Sequence, residues 1–361
     1  MAYVKGKGSK GLRKDISLIA EDIMVFLITG AAGFIGGNYC HIMTKKYPND
    51  MFIGFDALTY AGNIKTLAPV MERDNFRFVK GDISSKEDVK EVFDNYKIDI
   101  VINFAAESHV DRSLDNPLLF VKTNVDGVAL LLSEAMKRGV KRFHQVSTDE
   151  VYGDLPLNRP DLLFNEDCPL KASSPYSASK ASADLIVMSY YRSFNAPVTI
   201  SRCSNNYGPY QFPEKLIPLM IKNARSGKNL PVYGDGLNVR DWLYVADHCT
   251  AIDTIVRNSE NGKIYNIGGN SEKNNITIVK TILNILGKGE DLIEFVADRK
   301  GHDRRYAIDA SKIKSELGWT PAYKFDDAIK TTVEWYVKND KWLSEIESGE
   351  YLRFMRSHYG E

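Results

Sequence analysis

Residues 24–36 read MVFLITGAAGFIG, an apolar run from Met24 to Thr29 that passes directly into a glycine turn and then into a segment of helical spacing, Gly36 to Tyr47. Continuous apolar character suits a strand covered on both faces. Glycines lack a Cβ, so the backbone can turn tightly and approach a pyrophosphate. The free N–H groups and the positive end of the following helix then stabilise its charge. The spacing is G-x-x-G-x-x-G, a partial match to the G-x-G-x-x-G dinucleotide fingerprint, and it makes Gly30, Gly33 and Gly36 cofactor-binding candidates. Asp56 strengthens the reading, because it closes the next apolar run, Met51 to Asp56, about 20 residues beyond the turn. A carboxylate there accepts hydrogen bonds from an adenosine ribose and repels a 2′-phosphate, which favours NAD over NADP.

The same rhythm continues outward. Strands at Phe76 to Lys80, Ile98 to Ala105 and Arg142 to Ser147 alternate with helical segments at Lys86 to Tyr96 and Pro117 to Arg138. The second of these helices carries Val121, Val125, Val128, Leu132 and Ala135 as one stripe. Strands alternating with helices predict an α/β fold, a Rossmann-type doubly wound parallel sheet. Gly81-Asp82-Ile83 and Ala105-Ala106 fall at carboxyl ends of strands, where such sheets bind ligands, so Asp82, Ile83, Ala105 and Ala106 join the candidates. Beyond about residue 204 turn-rich segments (Tyr207 to Pro213, Tyr233 to Asn238, Gly268 to Asn275) break the rhythm, apart from a helix at Val245 to Arg257 and a strand at Lys263 to Ile267. A second, smaller lobe interleaved with the end of the first is expected.

The 361 residues carry 47 Lys+Arg against 47 Asp+Glu, so no net charge draws the chain to nucleic acid or to an anionic membrane. With 43% apolar and 26% charged residues it is an ordinary globular chain, expected to be soluble. No apolar run approaches the roughly 18 to 20 residues of a membrane helix. Cys40, Cys168, Cys203 and Cys249 are scattered, without metal-ligand spacing, which predicts free thiols in a reducing, cytoplasmic compartment and no metal. Residues 1–22 have neither an apolar signal core nor a cleavage site and read as a loose tail. His109 and His248 are expected to be structural hydrogen-bonding residues, and Trp319, Trp335 and Trp342 a packing cluster.

Two further motifs carry chemistry. Ser173-Ser174-Pro175 supplies a cap and a first-turn proline for a helix, and Tyr176 and Lys180, four apart, then share one face. A lysine ammonium beside a phenol favours the phenolate, lowering a pKa from about 10 toward neutrality, as a base acting on a sugar hydroxyl requires. Upstream, Ser147-Thr148-Asp149-Glu150-Val151-Tyr152-Gly153 leaves the end of a strand. Thr148 can donate to the oxygen that Tyr176 deprotonates. Where the chain turns, both carboxyls can reach one pocket, Glu150 taking a proton from carbon while Asp149 gives one to a departing hydroxyl. Two such neighbours in a partly desolvated site titrate apart.

The sequence resembles the extended short-chain dehydrogenase/reductase family, and within it the nucleotide-sugar 4,6-dehydratases, over roughly residues 24 to 340. The resemblance rests on the turn, STDEVYG and YSASK. It extends to 56–63 (DALTYAGN), 105–113 (AAESHVDRS), 202–209 (RCSNNYGP), 214–218 (EKLIP), 240–242 (RDW) and 301–306 (GHDRRY). It implies tightly held, recycled NAD, dTDP-glucose as substrate, and a 4-keto-6-deoxy sugar for deoxysugar (rhamnose) synthesis as product. Phe34, Ile35, Leu58, Thr59, Ser108, Thr123 and Asn205, with Tyr176 and Lys180, are further implied cofactor contacts. Implied substrate contacts are Ser108, Thr148, Asn205, Asn206, Glu214, Lys215, Leu216, Pro231, Tyr233, Arg240, Asn275, Arg299 and His302. Residues 23–204 with 239–268 would form the NAD-binding domain, and 205–238 with 269–361 the nucleotide-sugar domain. The resemblance also implies a homodimer that pairs the 117–138 helix and the Tyr176 helix with their mates.

Two rivals share much of this. A UDP-sugar 4-epimerase would have the turn and the Tyr/Lys pair but no use for the Asp149–Glu150 pair, and UDP- or CDP-glucose could replace the dTDP sugar. A non-catalytic NAD-binding sensor or scaffold would not need the five polar residues.

Overall fold

The computed structural model describes residues 23–298 and 302–347. The expected tail and Arg299 lie outside them. Seven strands build the main sheet: β1 (Val25–Thr29), β2 (Met51–Asp56), β3 (Phe76–Lys80), β4 (Ile100–Asn103), β5 (Arg142–Thr148), β6 (Val198–Cys203) and β10 (Lys263–Ile267). All are parallel, in the order β10-β6-β5-β4-β1-β2-β3. The chain winds outward from β1 to β3 and then crosses to β4 on the opposite side of β1. A doubly wound sheet opens a crevice at such a reversal, beyond the carboxyl ends of the strands.

Side chains alternate across the sheet, which divides the core in two. Phe26, Ile28 and Phe52 pack with Tyr39, Met43, Ile252 and Ile255 from helices Phe34–Lys46 and Val245–Asn258. Leu27, Ile53 and Val101 pack on the other face with Val92, Leu132 and Val187 from helices Lys86–Asn95, Val128–Lys137 and Pro175–Phe194. Both faces are covered, hence the continuous apolar strands.

A second lobe holds the remaining strands: β7 (Asn205–Tyr207), β8 (Leu230–Tyr233), β9 (Val239–Tyr244), β11 (Glu272–Asn274) and β12 (Ile293–Val296). β11, β9 and β7 form one small sheet, and β12 and β8 another. Helices Leu216–Arg225, Asn275–Leu286 and Phe325–Lys338 pack over them through Ile217, Ile221, Ile282, Ile329 and Tyr336.

Three expectations are corrected. The 117–138 segment is not one α-helix: Pro117–Val121 and Val128–Lys137 are α-helical, and a π-helical turn, Lys122–Gly127, joins them. The wider turn rotates the faces, so Val121 is exposed while Asn124 and Gly127 are buried, and the single apolar stripe is broken. Glu272–Asn274, read as turn, pairs antiparallel with β9. β9, at the start of the 239–268 stretch, pairs within the small sheet while its side chains reach both cores, Leu243 in the first and Trp242 in the second lobe's. Finally, Trp335 and Trp342 pack together at 5.3 Å between ring centroids, but Trp319 sits in the first core and donates to Thr250.

Candidate active site

The crevice begins where β1 meets its glycine turn. Gly30 has a φ of +65°, and a Cβ there would lie 2.7 Å from the Ala105 nitrogen, so only glycine lets the β1 turn and the end of β4 approach this closely. At Gly36 a Cβ would fall 2.3 Å from the Gly30 carbonyl oxygen, closing the first turn of the helix against its own loop. Asp56 at the end of β2 accepts from the Ala32 N–H at 2.9 Å and the Leu58 N–H at 2.7 Å, which ties the glycine turn to the second strand. Burial pushes its carboxyl up to about 6, against the pull of those two N–H groups. It lies in the wall of the crevice.

At the other end lie Thr148, Asp149, Glu150, Tyr176 and Lys180. The helix Pro175–Phe194 is set by a reciprocal cap: Ser174 Oγ accepts from Ser177 N at 3.1 Å and Ser177 Oγ accepts from Ser174 N at 3.0 Å, with Pro175 in the first turn. Such a cap is worth about 1 kcal/mol and fixes where the helix begins. Tyr176 is therefore in the first turn and Lys180 one turn on, both buried. Lys180 Nζ donates to the Val146 carbonyl of β5 at 2.7 Å.

Thr148, the last residue of β5, caps a single 3-10 turn, Asp149–Tyr152, its hydroxyl accepting from Glu150 N at 3.3 Å. This turn brings both acids to the crevice wall. Asp149 is buried, while Glu150 is half-buried. Burial, followed by the charges of Glu150 and Asp241, holds the Asp149 carboxyl well above the usual carboxylate range, which favours its protonated form.

Tyr176 departs from expectation. Its phenol is held well above its ordinary value, first by burial and then by the Glu150 carboxylate, with the Thr148 hydroxyl acting in the opposite direction. Burial meanwhile lowers Lys180. In place of the expected lowering by the lysine, desolvation and a nearby negative charge set the direction.

Of the other candidates, Gly33, Phe34, Ile35, Thr59, Asp82, Ile83, Ala105, Ala106, Ser108, Thr123, Asn205, Asn206, Glu214 and Lys215 line the same crevice. Leu58 is buried behind Asp56 with a φ of +56°. Leu216 and Asn275 open second-lobe helices, and Pro231 and Tyr233 lie on β8. Arg240 stacks 4.2 Å over Tyr306 and donates to the Asp303 carbonyl at 2.8 Å. His302 Nδ1 lies 2.6 Å from Asp298 Oδ1, beside Tyr233. These seven are outside the crevice wall, although the Arg240 charge reaches Asp149.

The residues fit a polar, elongated ligand such as NAD. Asp149 Oδ2, Glu107 Oε2, Asn205 Oδ1 and Gln211 Oε1 are buried without a hydrogen-bond partner, and all four residues line this one crevice. Buried polar atoms without partners are costly, and a ligand bearing hydroxyl and amide groups relieves them.

Comparison with known proteins agrees with this geometry. Residues 27–332 match the family described as GDP-mannose 4,6 dehydratase. The dTDP-glucose 4,6-dehydratase of Salmonella typhimurium is 45% identical over 93% of this chain and 99% of that protein. The crystal structure of dTDP-glucose 4,6-dehydratase from Bacillus anthracis in complex with NAD superposes with a TM-score of 0.84 at 48% identity, covering 90% of this chain and 99% of that one. The Streptomyces venezuelae dTDP-glucose 4,6-dehydratase, also solved with NAD bound, gives 0.86 at 44% identity, covering 90% and 100%. The chain belongs to the dTDP-glucose 4,6-dehydratase family.

Within this dehydratase crevice, sequence reading passed over Lys122, Glu107, Cys203, Gln211 and Phe212. Glu107 had a signal, since it falls between Ala106 and Ser108 just beyond a strand's carboxyl end. Its N–H donates to Asn124 Oδ1, and its carbonyl accepts from Asn124 Nδ2, both at 2.9 Å. His248 pairs with Asn206 at 2.9 Å, and burial pushes it down to about 3, so it is neutral and structural. Among the described residues no helix is long and apolar enough to cross a membrane, and the four cysteines are unpaired.

Proposed function

We propose that this protein converts dTDP-glucose to dTDP-4-keto-6-deoxyglucose and water, an NAD-dependent hydro-lyase reaction feeding deoxysugar synthesis. The observation that carries this reading is the 3-10 turn that sets a buried Asp149 beside a half-buried Glu150, in the same crevice wall as Tyr176 and Lys180. A 4-epimerase needs the last two residues but has no water to expel.

In the proposed sequence Tyr176, polarised by Thr148 and Lys180, takes the proton of the C4 hydroxyl. Bound in the crevice beside Tyr176 and Lys180, NAD would supply a reversible hydride acceptor and a positive charge that favours the Tyr176 phenolate. The new C4 carbonyl acidifies C5–H. Glu150 removes that proton while Asp149 gives its own to the departing C6 hydroxyl, so a C5–C6 double bond forms as the C6–O bond breaks. After hydride return at C6, Glu150 hands its proton back to C5.

In support of the cofactor reading, Gly30, Gly33 and Gly36 would receive the pyrophosphate, Asp56 the adenosine ribose, and Ala105, Ala106 and Thr123 the middle of the dinucleotide. Leu58 would act through Asp56. We assign residues 205–238 and 269–361 to nucleotide-sugar binding and 23–204 with 239–268 to NAD. Asn205, Asn206, Glu214 and Lys215 would contact the substrate within the crevice, with Arg240, Asn275 and His302 as further contacts from the second lobe and Arg299, outside the described residues, as another. A homodimer in a reducing cytoplasm completes the reading. Leu118 and Val121, together with Leu185 on the Tyr176 helix, are exposed apolar side chains on the helices that such a dimer would pair.

Single turnover of dTDP-glucose tests the assignment. Glu150→Gln should reduce bound cofactor at close to the wild-type rate yet lower dehydrated product by about 100-fold or more, as expected for loss of a general base. Tyr176→Phe should suppress the reduction itself. Normal product from Glu150→Gln, or an epimerised sugar from the wild type, would overturn it.

A further inference from the structure

Asp184 lies one helical turn beyond Lys180, buried, and has no part in the steps above. Its Oδ2 accepts from Arg202 Nε of β6 at 2.9 Å, and both side chains are at most 5% exposed. Arg202 Nη1 donates to the Tyr152 hydroxyl at 2.9 Å, and that hydroxyl donates to Asn266 Oδ1 of β10 at 2.8 Å. The Tyr152 ring is fixed by stacking on Phe164 at 5.1 Å and an interplanar angle of 17°. Tyr152 is also the last residue of the 3-10 turn whose first two residues are Asp149 and Glu150. A continuous buried polar chain thus runs from the helix that carries Tyr176 and Lys180, through β6, to the turn that carries the two acids.

We propose that Asp184, Arg202 and Tyr152 form a positioning network that holds the Asp149–Glu150 turn in register with Tyr176 and Lys180, so that C4 oxidation and water elimination share one rigid geometry. The inference rests on the dehydratase reading above. Stability alone is a weak reason for such a chain, because a buried ion pair is often replaced by apolar residues at no loss. What an apolar replacement would lack is direction. Each of these hydrogen bonds fixes a different element, and the acids are only two and three residues from the tyrosine that receives the last donor.

The test is rapid mixing of the holoenzyme with dTDP-glucose, following nicotinamide reduction and dehydrated product separately. Tyr152→Phe keeps the ring on Phe164 and removes the hydroxyl. We expect cofactor reduction within about 2-fold of wild type, product formation lower by about 10- to 100-fold, the scale of a small misplacement of reacting groups, and accumulation of reduced cofactor with KM unchanged. Arg202→Lys keeps a charge opposite Asp184 but loses the donor to Tyr152, and should do the same. It decides the matter should Tyr152→Phe not fold. Equal slowing of both steps, or none, in a folded variant would overturn the network. Failure of the wild type to turn over dTDP-glucose would overturn the parent reading instead, whatever the variants do.

Discussion

Asp149 and Glu150 are chain neighbours with different surroundings: one carboxyl is sealed in and its pKa is pushed up by burial, the other is half-exposed. In the proposed mechanism that difference distinguishes acid from base without any difference in intrinsic chemistry. It also has a cost in stability whose sign can be checked. A carboxyl whose folded-state pKa is raised above its unfolded value of about 3.9 keeps its proton in the native state after the unfolded chain has lost it. Native stability therefore falls as pH rises from about 4 toward neutrality. Asp149→Asn removes this titration. Urea unfolding of the variant without added cofactor should show a smaller loss of stability between pH 4 and pH 7 than the wild type, together with weaker dehydration. An unchanged pH slope would mean that Asp149 is ionised in the native protein and is not the acid. Such a trade of stability for function is expected where an active site keeps an uncomfortable group.

At the scale of elements, the π-helical turn Lys122–Gly127 exerts the most local control. It aims Asn124 inward, where the side chain accepts from the Glu107 N–H and donates to the Glu107 carbonyl and to Ser179 Oγ at 2.8 Å, bracing the crevice wall against the Tyr176 helix. Asn124→Ala strands a buried N–H and carbonyl and should cost about 2 to 4 kcal/mol in urea unfolding; a cost below about 1 kcal/mol would show that solvent replaces those bonds. Nothing in residues 117–138 announced this turn, because an extra residue in a helix leaves composition untouched and only shifts which face is buried. By contrast β2, β3 and β10 were legible to the residue, since each is a short run rich in aromatic and β-branched residues set between turn segments. Ser174 and Pro175 marked the start of the Tyr176 helix through a purely local hydrogen-bond pattern. The short strands of the second lobe were hidden, as three-residue pairings depend on partners distant in the chain. The raised phenol of Tyr176 was hidden for the same reason: the Tyr/Lys spacing is local, whereas the burial and the Glu150 charge that dominate it are tertiary. Gln211 and Phe212 reach the crevice from a loop with no motif of its own.

At the scale of the whole molecule, the helices that build the crevice also present its exposed apolar side chains outward. Leu118 is 77% exposed and Leu185 64% exposed, on segments that pack against each other beside Thr123 and Tyr176. Burying one leucine is worth about 1.5 to 3 kcal/mol, and a two-fold interface counts each position twice. Covering both leucines on both subunits would therefore contribute roughly 6 kcal/mol or more, comparable with the about 8 kcal/mol that separates a micromolar dimer from its monomers. Leu118→Glu combined with Leu185→Glu removes that contribution and sets like charges against each other across the axis. Sedimentation at micromolar protein should show a dimer for the wild type and a monomer for the double variant. The monomer should also bind cofactor more weakly, because Lys122, Thr123 and Tyr176 would lose the packing behind them. A double variant that sediments as the wild type does would place the subunit contact elsewhere and leave these leucines as isolated surface residues.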